Sequence, residues 1–256
     1  MMTKTAVTVL EFSGIFARER ALFPEALERA IAWNVLDFRS LEGTMCFCEE
    51  GSAEVIRRRI ESVLAGGTAG VPLHWIDTGD YHYLTYFFLE RIRKPFALVL
   101  LDNHPDDQPS VFGEGLLSCG GWVLTARERL PLLQEVLTIG PEGRILRWER
   151  FRKKSGMTEV TPGLPVYISV DKDVLSRSYA RTDWSQGEMT LPELLEILDR
   201  FRDREILGID LCGGLTEAKG ATDEDFAVNA RLDAALISAL LPSAKTAENI
   251  DELRAE

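Results

Sequence analysis

Two short stretches place metal-binding side chains at alternate positions. Asp102-Asn-His104-Pro-Asp106 follows the apolar run Phe96–Leu101, and Asp171-Lys-Asp173 follows Val166-Tyr-Ile-Ser-Val170. In extended chain, residues two apart point the same way, so each stretch aims its donors into one pocket. That pocket would lie beyond the carboxyl ends of the strands, where open α/β sheets bind ligands. A third donor group, Thr78-Gly-Asp-Tyr-His82, comes just after the run Val71–Ile76, and a further apolar run, Glu205–Asp210, ends in acid. Aspartates are rarely buried unless paired or bound to metal, and converging carboxylates repel one another. A cation is the natural compensation. Carboxylate and imidazole donors, with no thiolate at these positions, favour Mn²⁺, with Zn²⁺, Fe²⁺ or Mg²⁺ compatible. The plainer alternative is a set of polar loops capping strands, with Asn103 to Asp106 as turn residues. His74, inside an apolar run, reads as a histidine of the core.

Strands must position these groups. Ala6–Phe12, Thr44–Cys48, Val71–Ile76, Phe96–Leu101, Glu135–Ile139, Pro165–Asp171 and Glu205–Asp210 carry the apolar, β-branched content of strands. Between them run helical patterns: Pro24–Ile31, Ser52–Leu64 with Ser52 as its N-cap, Tyr83–Arg93, Leu191–Phe201 capped by Thr190, and Asp223–Leu241. The alternation predicts an α/β fold, three-layer α/β/α with a mostly parallel sheet. No linker or low-complexity stretch divides the chain, so residues 1–256 are expected to form a single domain. Residues 109–121 are glycine-rich loop, and the basic run Arg144–Lys154 reads as a solvated face or edge strand.

Composition narrows the function classes. The net charge of −12 argues against nucleic acid and anionic membranes as partners. No run approaches the ~20 apolar residues of a membrane span, and no signal-peptide pattern opens the sequence. Cys46, Cys48, Cys119 and Cys212 lack a CxxC spacing and read as buried thiols in a reducing compartment, so a cytoplasmic location is expected. The expected partner is a small-molecule substrate, and self-association into a homo-oligomer stays open.

Taken together, Asp102-Asn-His104-Pro-Asp106 and Ser169-Val-Asp171-Lys-Asp173 resemble the Asp-x-His-x-Asp and Ser-x-Asp-x-Asp signatures of the ureohydrolase family of arginases, agmatinases and formiminoglutamases. Thr78–His82 is a looser version of the family's Gly-Gly-Asp-His motif, and Gly208-Ile-Asp210 fits its last strand. The resemblance covers about residues 70–240 and implies an arginase-like domain with a binuclear metal site, Mn²⁺ in the first instance. It implies that Asp102 and Asp171 bridge two ions, that His82 and Asp106 complete one, and that His104 and Asp173 complete the other. Metal-activated water would be the nucleophile, with Asp106 orienting it or shuttling a proton, and the reaction would be hydrolysis of a linear C–N bond of an amidine, guanidine or amide.

Two departures separate the chain from arginases, by the same resemblance. The carboxylate three residues after the last-strand aspartate, which grips a guanidinium, is replaced by Gly213, and the loop Ser110–Gly121 has no histidine for proton transfer. A true arginase is therefore not expected. Glu114 or Glu217 is a candidate substitute for the missing acid, and Arg181 for reading an acidic substrate group; solvated loop residues are the plainer reading of all three. A non-catalytic metal-binding or structural member of the fold is the alternative function. A two-metal phosphatase would share the logic but has no motif in the sequence.

Overall fold

The computed structural model describes residues 4–64, 71–111, 115–140, 145–149, 152–154 and 159–240. The main sheet is built from β1 (Thr5–Glu11), β2 (Ile31–Asp37), β4 (Leu73–Ile76), β5 (Phe96–Leu101), β7 (Leu133–Ile139), β8 (Ile145–Glu149), β9 (Arg152–Lys154), β10 (Val166–Asp171) and β11 (Ile206–Cys212). Their order is β2-β1-β4-β11-β10-β5-β7-β8-β9. Every pairing from β2 to β7 is parallel, and β8 and β9 add to the edge antiparallel. The described parts of the basic run, Ile145–Glu149 and Arg152–Lys154, thus extend this side of the sheet, with β9 at its edge. Two short strands, β3 (Phe47–Cys48) and β6 (Leu117–Ser118), pair separately.

Helices cover both faces because the central strands are apolar on both. Ala97, Val99 and Leu101 of β5 face one way, towards α1 (Ile15–Arg20), α6 (Leu191–Asp199) and α7 (Asp223–Leu240). Phe96, Leu98 and Leu100 face the other, towards α3 (Glu50–Leu64), α4 (Thr85–Leu89) and α5 (Trp122–Arg129). This is the period-two alternation of a strand, buried twice. The expected three-layer α/β/α architecture with a mostly parallel sheet is present. Thr190 caps α6 with Glu193 returning the contact, a reciprocal capping box.

Several local expectations need correction. The strand after β1 is Ile31–Asp37, preceded by the short helix α2 (Glu25–Ala30), whereas Thr44–Cys48 shrinks to the two-residue β3. Cys46 sits at φ 62°, which breaks extended chain there. Ser52 is inside α3, and its hydroxyl donates to the carbonyl of Glu42 at 2.7 Å instead of capping. The helix expected at Tyr83–Arg93 is a 3₁₀ turn, Gly79–Leu84, followed by α4 alone. No helix among the described residues is long and apolar enough to cross a membrane.

Candidate metal centre

Strands β4, β11, β10 and β5 are neighbours, so the segments leaving their carboxyl ends meet. From β4 comes the 3₁₀ turn with His82, from β5 the stretch Asp102–Asp106, and from β10 Asp171 and the turn Lys172–Val174. Asp77, the first residue past β4, anchors this edge. Its carboxylate accepts from the backbone N–H groups of Phe12, Ser13 and Thr78 and from the Ser13 hydroxyl, at 2.5–2.8 Å.

All six residues expected to hold metal line one cleft of about 250 Å³: His82, Asp102, His104, Asp106, Asp171 and Asp173. His82 Nδ1 stands 3.2 Å from Asp102 Oδ2, 3.2 Å from Asp106 Oδ2 and 3.3 Å from Asp171 Oδ2. His104 Nδ1 stands 2.8 Å from Asp173 Oδ2 and 3.6 Å from Asp102 Oδ1. Asp102 therefore touches both imidazoles. Backbone amides hold the carboxylates in place: His104 N–H donates to Asp102 Oδ1 at 2.6 Å, and Asp173 N–H to Asp171 Oδ1 at 2.9 Å. Asp106 is at φ 47°, a left-handed conformation that aspartate tolerates better than most residues, and the Trp122 indole donates to its Oδ2 at 2.7 Å.

Both imidazoles are mounted alike. Each turns Nδ1 to the acids and Nε2 to a serine hydroxyl, Ser169 under His82 and Ser185 beside His104, at 2.9 Å in each case. A partner on the far nitrogen fixes ring orientation and leaves the near nitrogen for a metal. The serines gained no such role from the sequence alone. Ser169 had a visible signal, since it lies two residues before Asp171 and so shares its face of β10. Ser185 had none.

The electrostatics show a centre short of positive charge. Burial, with Asp173 and Asp102 adding repulsion, lifts Asp171 well above the usual carboxylate range. Burial and Asp102 push Asp106 and Asp173 up to about 7. Burial would raise Asp102 as well, but the hydrogen bonds of His104 and His82 win and hold it at about 2. Hydrogen bonds to Asp102 and Asp173 carry His104 up to about 11, and those of Asp102 and Asp106 lift His82 well above its ordinary value despite its burial. Asp102 Oδ2 is buried and, beyond the contact with His82 Nδ1 at 3.2 Å, has no hydrogen-bond partner. Oxygen and nitrogen donors of this number and convergence fit divalent metal. Three groups among the described residues are close enough for one ion: His82–Asp102–Asp106, Asp102–His104–Asp173 and His82–Asp171–Cys212.

Other expected residues do not gather here. Glu217 is exposed and pairs with Arg18, and Arg181 is tied to Asp225 of α7 at 3.0 Å, so neither lines the cleft. Glu114 lies outside the described residues. Asp210 is in mid-strand rather than at its end, because β11 continues to Cys212; its Oδ1 accepts from the Tyr167 hydroxyl at 2.5 Å and is 2.8 Å from His74 Nδ1. His74 is a core histidine as expected, stacked on Phe88 at 3.6 Å. Gly213 supplies no acid, and the geometry gives a reason. It has φ +97°, and a Cβ there would come within 2.6 Å of Asp171 Oδ1.

Comparison with known proteins agrees with this geometry. A protein of Thermotoga maritima with no described activity is 30% identical over 210 residues, covering 81% of this chain and 79% of the relative. This chain belongs to one family with it. No protein-family model matches. Among solved structures, proclavaminate amidino hydrolase from Streptomyces clavuligerus aligns with TM-score 0.62 at 15% identity, covering 94% of this chain and 92% of its own. Arginase from Bacillus subtilis aligns with TM-score 0.62 at 11% identity, covering 94% and 99%. The chain has the ureohydrolase fold. The arginase-like architecture expected from two aspartate motifs is thereby established.

Proposed function

We propose that this protein is a binuclear-metal hydrolase, with Mn²⁺ the expected ion, acting on a linear C–N bond of a small amidine, guanidine or amide. The observation that supports it most is the convergence of four buried carboxylates and two imidazoles on one cleft. His82 and Asp106 would hold one ion, His104 and Asp173 the other, and Asp102 and Asp171 would be shared. Divalent ions held there would supply a water of lowered pKa and polarise the C=N or C=O bond under attack. Asp106, fixed by Trp122, orients the attacking water, accepts its proton and returns it to the departing nitrogen. Ser169 and Ser185 keep the imidazole Nδ1 atoms turned to the acids. Residues 1–256 are read as one such domain, working in the cytoplasm, where the unpaired Cys46, Cys48, Cys119 and Cys212 stay reduced.

Gly213 sets the substrate preference. A guanidinium seeks a carboxylate in bidentate contact, and a desolvated unpaired cation is costly. Arginine and agmatine should be turned over poorly, while some uncharged amide in a panel should release ammonia or amine with Mn²⁺. Brisk urea release from arginine would contradict this preference. The second reading is a metal-binding or structural protein that keeps the fold without turnover. Gly213 and the histidine-free loop 110–121 favour it, and it would be upheld by one ion or none together with no activity across the panel.

A further inference from the structure

Cys212 ends β11 directly across from Asp171, its register partner on β10. Its side chain is fully buried, and Sγ contacts the carbonyl of Thr78 at 3.5 Å. A ring nitrogen of His82, a carboxylate oxygen of Asp171 and this Sγ all lie within 4.8 Å of one another. Ligand distances of ~2.0–2.1 Å to imidazole nitrogen and ~2.3 Å to sulfur let one ion span three such atoms with small side-chain shifts. Buried Asp102 Oδ2 lies 3.2 Å from His82 Nδ1, beside the same donors, and has no hydrogen-bond partner beyond that contact. Nitrogen, oxygen and sulfur donors thus converge at the strand ends. The oxygen-and-imidazole set read from the aspartate motifs leaves this sulfur out.

We propose that Cys212 is a sulfur ligand of the ion on the His82 side, and that this position prefers a softer metal, Zn²⁺, Fe²⁺ or Co²⁺, over Mn²⁺. The inference rests on the binuclear reading above. As the metal–sulfur bond forms, the thiol gives up its proton to water and its contact with Thr78 is released; no oxidant or reductant is involved. Thiolate donors select zinc and iron, whereas carboxylates and water suit manganese, so one sulfur in the set tips the choice. The His104–Asp173 side has no sulfur in its group and keeps the harder preference. The two positions would then differ in metal within a single centre.

Cobalt tests this without any assay of activity. Metal-free protein titrated with Co²⁺ should develop a near-ultraviolet sulfur-to-cobalt charge-transfer band. The band should vanish in Cys212→Ser and persist in Cys119→Ser, whose thiol lines the same cleft. In competition, the preference for Zn²⁺ over Mn²⁺ should fall about 10-fold or more in Cys212→Ser, the scale on which even indirect partners of a metal matter. X-ray absorption of the unaltered protein loaded with zinc gives a check that needs no variant, a sulfur shell at ~2.3 Å. Cobalt bound with no sulfur band and no sulfur shell overturns this proposal and leaves the binuclear reading intact. A band that survives Cys212→Ser also overturns it. Protein that takes up no metal at all overturns both.

Discussion

The segment Asp171-Lys172-Asp173 faces two ways, and its two sides settle their charge differently. On one side, Asp171 and Asp173 join Asp102 and Asp106 in the cleft, four carboxylates against two imidazoles. On the other, Lys172 is fully buried with Nζ 3.0 and 3.2 Å from the two oxygens of Asp233 and 5.6 Å over the Trp75 ring. The Trp75 indole donates to the same Asp233 at 2.8 Å. Glu19, 3.9 Å away, is lifted well above the usual carboxylate range by burial, with Asp233 adding against the pull of Lys172. The core side meets Asp233 with a lysine of the protein itself, although Glu19 keeps both oxygens without a hydrogen-bond partner. The cleft side has no lysine or arginine among its described lining residues. Buried charge alone is therefore no mark of function; converging donors with no protein cation among them are the better one.

Substitutions on the two sides should separate these cases. The largest effect is expected for Asp171→Ala, which should cost the protein at least one ion while leaving the metal-free form no less stable. Metal analysis and urea unfolding of both forms measure the two halves of that statement; full metal occupancy in the variant would erase the contrast. Lys172→Met should do the reverse. Removing one partner of a buried pair costs about 3–5 kcal/mol, so urea unfolding should register a large loss even with chelator present. A loss seen only in the metal-loaded form would mean that Lys172 serves the cleft.

A smaller effect is expected at Gly213. There φ is +97°, and a Cβ would approach Asp171 Oδ1 to 2.6 Å. Gly213→Glu should lower stability by about 1–3 kcal/mol through backbone strain and weaken metal binding with it, readable by thermal unfolding and calorimetric titration with Mn²⁺. Unchanged values would show that Asp171 can give way. Smallest are the serines. Ser169→Ala should weaken metal binding about 10–100-fold, as loss of a histidine's outer partner does. Ser185→Ala should do less, because water can replace its hydroxyl at the part-exposed His104 ring. Equal effects would argue against that difference in burial.

Much of the cleft side was legible beforehand because strand periodicity and donor spacing coincide. Asp102 and His104, like Asp171 and Asp173, sit two apart at the ends of continuous apolar strands, and that spacing marks both pairs, although His104 and Asp173 lie in turns past the strands rather than in extended chain. Sheet order could not be read, yet it decides which loops meet. The Ser185 contact comes from a loop 81 residues beyond His104, and no local pattern links the two. Asp210 misled because apolar run and strand do not end together: Leu211 and Cys212 extend β11 past it. The same extension carries Cys212 to the cluster, so the mistake about one residue and the omission of the other share a cause. Strand β2 escaped notice because its pattern is mixed, with Trp33 and Asn34 half-buried and Val35 exposed at the sheet's edge.

The most direct test of the central claim is the metal content of the purified protein after reconstitution with Mn²⁺, with chelator-treated protein alongside. About two ions per chain are expected, together with a higher melting temperature than the metal-free form, since a ligand bound only to the folded state stabilises it. Protein that binds no divalent ion, and melts at the same temperature with and without it, would contradict the account.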